Sequence, residues 1–193
     1  YQQAEQMLAE LRACRERLDA GATQAARMAA PRVPSIAVLP FANLSADPEQ
    51  EYFCEGMTEE LITALGAIAG LRVAAKASTF HLKGKDLEIR AIGEQLNVET
   101  LLEGSVRKAG DRLRVTAQLV NVSDGYHLWS ERYDRRLDDV FAVQDEIARA
   151  IVEKLKVRLV GPKEAPLVRR GSTNLEAYQL YLKGRYYFAR RYK

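Results

Sequence analysis

At 193 residues, with 47% hydrophobic and 28% charged side chains, the chain is long enough for one domain with a sizeable core plus appendages. Its 29 basic and 26 acidic residues are spread along the sequence and leave a net charge of +3, which argues against a nucleic-acid-binding or membrane-surface protein. No apolar run approaches the roughly 20 residues that span a bilayer, and the N-terminus lacks the order of a signal peptide, so a cytoplasmic protein is expected. Cys14 and Cys54 lie outside any CxxC spacing and are expected as free thiols.

Residues 2–19 place Ala4, Leu8, Leu11 and Leu18 at helical spacing with Glu and Arg on the other faces, so they read as an amphipathic helix. The small-residue stretch 21–34, which includes Pro31 and Pro34, has the composition of a linker and offers that helix no partner. YQQAEQMLAELRACRERLDAG resembles the last helix of bacterial serine/threonine protein kinases, which implies that residues 1–20 close a truncated catalytic domain. The chain itself has no glycine-rich phosphate loop, catalytic-loop Asp or Asp-Phe-Gly. The plainer reading is a stray amphipathic helix or coiled-coil fragment.

The organising stretch is Ser35 to Asp47. Ile36, Ala37, Val38 and Leu39 form an apolar run ended by Pro40, which suits a strand covered on both faces. Asp47 reads as an N-cap, with Pro48 at the first helical position and Gln50 reaching back as in a capping box. The helix predicted over 48–68 puts Phe53, Met57, Leu61, Ile62, Leu65 and Ile68 on one face, and Gly70 stops it. Leu71 to Ala75 is a short second strand, expected parallel to the first. A polar loop, KASTFHLKGKD, leads to a helix from Asp86 as N-cap through Ile89, Ile92 and Leu96 to a left-handed Asn97.

From Glu99 the apolar period becomes two. Leu102, Gly104 and Val106, then Leu113, Val115, Ala117 and Leu119, alternate with polar residues around a turn at Ala109, Gly110 and Asp111. Ser123, Asp124 and Gly125 turn the chain into a third strand over 126–135. A helix then starts at Asp138 and Asp139, with Val140, Val143, Ile147, Ile151 and Leu155 on one side. The order βαβαβββα predicts an α/β fold, bordering on α+β, in which a mixed sheet carries helices on its faces.

SIAVLPFANLSADPEQEYFCEGMTEELITAL, LRVAAKAS, IGEQLNVETLLEGSVRKAGDRLRVTAQLV and GYHLWSERYDRRLDDVFAVQDEIARAIV, in that order, resemble the TolB-like module over residues 35–159. That module is an α/β domain related to the amino-terminal domain of TolB. The family occurs in bacteria between a catalytic or DNA-binding unit and tetratricopeptide repeats. TolB is periplasmic, whereas no export or membrane segment stands between the kinase-like helix and the module here.

Residues 160–173 read as a second linker. Residues 174–193 read as a helix with Tyr178, Tyr181, Leu182, Gly184, Tyr187 and Phe188 at helical spacing, similar to the entry helix of a tetratricopeptide array. Tyr181, Gly184 and Tyr187 are the expected repeat-packing face. Lys183 stands where the repeat prefers leucine, which implies an atypical cap. The plainer reading is a helix folded back on the domain.

No catalytic, cofactor-binding or metal-binding residue is legible. His81 and His127 lack partners at metal-ligand spacing, and Ser105 lacks the second glycine and strand-to-helix elbow of a nucleophile. Glu59 with Glu60 and Asp138 with Asp139 read as solvated helix-surface charge. One candidate ligand loop, Ser78, Thr79, Lys83 and Lys85, follows a predicted parallel strand, where open α/β sheets bind ligands and lysines can meet an anion. A solvated basic loop is the commoner case.

The sequence thus predicts a non-catalytic linking or regulatory segment of a serine/threonine protein kinase. ATP and Mg belong to the missing kinase domain, protein partners to the repeats, and neither nucleic acid nor a membrane is engaged. Two alternatives stand beside it: a small-ligand sensor at the Lys83 loop, or the same module attached to a nucleotide cyclase or a transcription regulator.

Overall fold

The computed structural model describes residues 33–155, 167 and 174–191. The chain divides into two units, residues 1–33 and 34–193, and the fold below is that of the second. The kinase-like helix predicted over residues 1–20 lies outside the described residues, as do nearly all of the two predicted linkers.

Strand β1 (Ser35–Val38) is buried along its whole length. Alternation sends Ile36 and Val38 to one face of the sheet and Ala37 to the other, so each face needs its own cover. Pro40 interrupts the strand, and the chain rejoins the sheet at β2 (Ala42–Asn43). A 3-10 turn, Pro48–Gln50, opens α1 (Glu51–Gly66). Asp47 caps that turn, its Oδ1 accepting from the Glu49 N–H at 2.8 Å. Gln50 donates to Asp47 Oδ2 at 3.0 Å, so the expected reciprocal bond to the Asp47 backbone is replaced by one between side chains. These two bonds, that of Gln50 foremost, hold the Asp47 carboxyl below its ordinary pKa.

Gly70, at φ +81°, turns the chain into β3 (Arg72–Val73). The predicted polar loop contains a short helix, α2 (Lys76–Phe80), because Thr79 and Leu82 have core to fill. Helix α3 (Ile89–Leu96) starts three residues after the predicted Asp86 cap and ends, as predicted, at left-handed Asn97. Strands β4 (Thr100–Ala109), β5 (Arg112–Asn121) and β6 (His127–Arg136) form an antiparallel meander. The β4–β5 turn is Gly110–Asp111, with Gly110 at φ +60°. A second 3-10 turn, Leu137–Asp139, leads into α4 (Val140–Lys154), and α5 (Leu175–Arg190) completes the unit.

The sheet order is β3-β1-β4-β5-β6, with β1 parallel to both neighbours and β2 parallel to β4. The predicted mixed α/β architecture is therefore observed. The larger core lies between one face and α1 and α4, with α5 packed on those helices, and includes Phe53, Met57, Leu61, Val115, Leu119, Ile147 and Ile151. The smaller one, built on Ala37, Leu82, Ile92 and Leu101, covers only the parallel part of the second face. No other described element covers the antiparallel part of that face, and Arg112, Arg114, Arg132, Asp134 and Arg136 stand exposed on it.

A buried threonine joins sheet and helix. Thr58 Oγ1 accepts from the Phe41 N–H at 3.0 Å and donates to the Cys54 carbonyl at 2.8 Å. Replacing Thr58 with valine keeps the shape but strands a buried N–H, so a loss of about 1–3 kcal/mol in urea unfolding is expected. Thr58→Ser should retain most of it.

Candidate functional site

The carboxyl end of β3 opens onto a shallow cleft of about 480 Å³, walled by Ala74, Ala75, Ala77 and Ser78 on one side and Gln95 and Leu96 on the other, with His81 beside them. Of the four predicted loop residues, only Ser78 lines this cleft. Thr79 is buried, its Oγ1 donating to the Lys76 carbonyl at 3.1 Å. Lys83 turns away to Glu51 and, at 2.6 Å, to Glu55 on α1. Burial pulls the Lys83 pKa down, but its bonds to these two carboxylates outweigh that and leave it raised. Lys85 is exposed. The four residues thus do not converge on one ligand position, and His81, set aside in the sequence, is nearer the cleft than either lysine.

Helix α5 has two faces. Tyr178 and Leu182 are buried, with Leu182 seated over Gly56 of α1, where a Cβ would lie 2.6 Å from its methyl carbons. The Tyr178 ring packs 4.6 Å from that of Phe141, and its hydroxyl accepts from Gln144 Nε2 at 3.3 Å. The predicted repeat-packing residues lie on the outer face. Tyr181 and Tyr187 are 54% and 53% exposed, and Gly184 is open to solvent.

A row of carboxylates on α1 ties these regions together. Glu51, Glu55 and Glu59 recur every fourth residue and so share one helical stripe. Glu59 pairs with Lys76 of α2 and with Arg185 of α5. Glu55 pairs with Lys83 and, at 3.3 Å, with Arg190 of α5. Each of these two acids therefore bridges the cleft-bearing segment and the last helix. The spacing of the acids was legible in the sequence, but their partners, up to 135 residues away, were not.

Cys54 is fully buried, and burial pushes its thiol from 9.0 up to about 12. The folded state therefore keeps its proton where the unfolded state loses it, and stability present below pH 9 should decline as pH rises toward 12. Tyr178, raised by burial above its ordinary 10.0, acts in the same direction. At pH 8 iodoacetamide should label Cys54 only at the rate of unfolding, as followed by mass spectrometry of its peptide. Among the described residues there is no cluster of three or more His, Cys, Asp or Glu able to hold a metal ion, and no helix is long and apolar enough to cross a membrane.

Comparison with known proteins places this geometry. Residues 32–150 match the family described as "HilA/YgeH-like transcriptional regulator, second domain". The chain is 50% identical over 155 residues to "Putative adenylate cyclase 3" of Rhizobium meliloti (strain 1021); the match covers 80% of this chain and 26% of that protein. The chain thus spans about a quarter of its relative's length. Among solved structures it is similar to TolB from Acinetobacter baumannii, with 18% identity, a TM-score of 0.49, and 64% of this chain and 28% of that one covered. It is also similar to the lipoprotein GNA1162 from Neisseria meningitidis, with 22% identity, a TM-score of 0.46, and 65% and 99% covered.

These matches correct one expectation. The serine/threonine kinase parent inferred from residues 1–21 is overturned, because the 50% identical relative is named a cyclase and the matching family is one of transcriptional regulators. A single amphipathic helix has too few constrained positions to identify the domain it came from. The match over residues 32–150 spans well over half the sequence, and the chain belongs to the HilA/YgeH-like transcriptional regulator second-domain family.

Proposed function

We propose that this chain is a non-catalytic connecting and regulatory module of a nucleotide cyclase, whose ATP-cyclising residues lie in sequence outside it. The 50% identity over 155 residues to the Rhizobium meliloti relative is the observation that carries this reading. The geometry fits a part that works by contact. Glu55 and Glu59 each hold both the segment 76–83 beside the cleft and helix α5, so displacement at one end is felt at the other. The outer face of α5, with Leu180, Tyr181 and Tyr187 exposed, suits a protein neighbour. An ATP-consuming parent would work in the cytoplasm.

A second reading is favoured by the family match: the module sits beside a DNA-binding unit in a transcription regulator. Assay of the full-length protein separates the two. The first reading expects conversion of ATP to cyclic AMP by the whole protein and none by residues 1–193 alone, with Glu55→Gln/Glu59→Gln changing the rate of the whole. Turnover by the isolated chain would refute the non-catalytic role. A full-length protein that binds promoter DNA and makes no cyclic nucleotide would favour the second reading.

A further inference from the structure

The open part of the second sheet face ends at a cleft of about 420 Å³ around the β4–β5 turn, lined by Arg107, Ala109, Arg112, Arg114 and Asp134 from that face and by Leu113 and Arg135 from the other. Strand register makes this arrangement costly. Arg107 lies directly opposite Arg114, and Arg112 directly opposite Arg136. Like charges opposed across an antiparallel pair destabilise it, and here two such pairs are adjacent.

The acids nearby offset only part of this. Asp134 accepts from Arg114 at 2.6 Å and pairs with Arg132 at 3.2 Å, while Arg136 reaches Asp138 at 3.6 Å and Arg135 reaches Glu146 at 3.4 Å. Arg107 uses its Nε on the Leu44 carbonyl at 3.2 Å, which anchors the side chain and leaves its terminal nitrogens. Arg112 makes no ion pair with any described residue, although its charge is felt at Asp134, and the small Ala109 stands directly across from it.

We propose that this cleft binds a compact polyphosphate, a di- or triphosphate group either free or at the end of a nucleotide. Guanidinium forks match phosphate oxygens two at a time. Arg107 and Arg114 stand on neighbouring strands roughly 4.8 Å apart and Arg112 lies diagonal to Arg107, roughly 7–8 Å away, spans that long guanidinium side chains can close on one phosphate chain. A nucleic-acid track fits less well. Among the described residues no aromatic ring lines the cleft for base stacking, and Glu103 ends the basic run along β4. The site is separate from the cleft at β3 and does not depend on the cyclase reading.

Calorimetric titration of residues 1–193 at low salt tests it, with pyrophosphate, ATP, AMP, orthophosphate and a single-stranded oligonucleotide as probes. Pyrophosphate and ATP should bind, and AMP and orthophosphate should bind at least about tenfold more weakly. Arg112→Gln should weaken pyrophosphate by about tenfold with Arg112→Lys between, and Arg107→Gln on the neighbouring strand should cost about as much. Thermal melting at or slightly above that of the unsubstituted chain, as expected once one of the opposed charges is gone, shows that the variants stay folded and keeps the comparison clean. Silence toward pyrophosphate and ATP, or affinities indifferent to both substitutions, would overturn the proposal. So would oligonucleotide affinity that exceeds that of pyrophosphate and grows with length.

Discussion

Gly104→Ala is expected to be the most damaging small substitution in the chain. A Cβ on this β4 residue would lie 2.3 Å from the Thr116 carbonyl oxygen of β5 and 2.8 Å from the Phe41 ring. The oxygen belongs to the backbone of the neighbouring strand and cannot swing away. Phe41 is 1% exposed, fixed between sheet and α1, with its N–H held by Thr58. Either β4 and β5 separate or Phe41 leaves the core, at a cost of about 3 kcal/mol or more. For a domain of this size that is a fall of roughly 10 °C in Tm by calorimetry. Gly66→Ala serves as the control, because nothing lies within 4 Å of a Cβ there.

Much of this construction could be read from the sequence. The apolar run Ile36–Leu39 marked the central strand because burial on both faces leaves no polar alternation, and Asn97 marked a helix end because its side chain tolerates the left-handed turn. The role of Gly104 was hidden, since its place in an alternating run says nothing of a ring packed across it. The candidate site was less legible. Lys83 in a basic loop suggests an anion, but its charge is taken by Glu51 and Glu55, and only the fold brings those residues together. The helical spacing of Tyr178, Tyr181, Leu182, Gly184 and Tyr187 marks an apolar helix, but which stripe meets the domain depends on the fold: Tyr178 and Leu182 make that contact, and Tyr181 and Tyr187 face outward. The arginines at the β4–β5 turn looked like the wet half of an ordinary hairpin, and their opposition across strands depends on register.

Gly56→Leu is the second substitution with a large expected effect, and it acts on one helix. The new side chain would occupy the place of Leu182, whose methyl carbons approach within 2.6 Å of a Cβ at this position. Helix α5 should leave α1, while the sheet and its covering helices stay folded. Leu182→Ala removes the same contact from the other side and should cost α5 about 2–3 kcal/mol of docking. Hydrogen exchange reads both. Amides of residues 175–190 should lose protection in each variant while those of β4 and β5 keep theirs. Global loss of protection would mean that α5 is integral to the domain core.

The account rests on mechanical coupling between the cleft segment and α5 through Glu55 and Glu59. Hydrogen exchange of α5 in Lys76→Gln/Lys83→Gln tests it most directly, because neither lysine has a bond to α5 among those described. Removing them frees both carboxylates for Arg185 and Arg190 alone, so α5 amides should become about two- to fivefold better protected, in line with 0.2–1 kcal/mol per ion pair. Protection of α5 identical to that of the unsubstituted chain would show that the two regions are independent and would contradict the account.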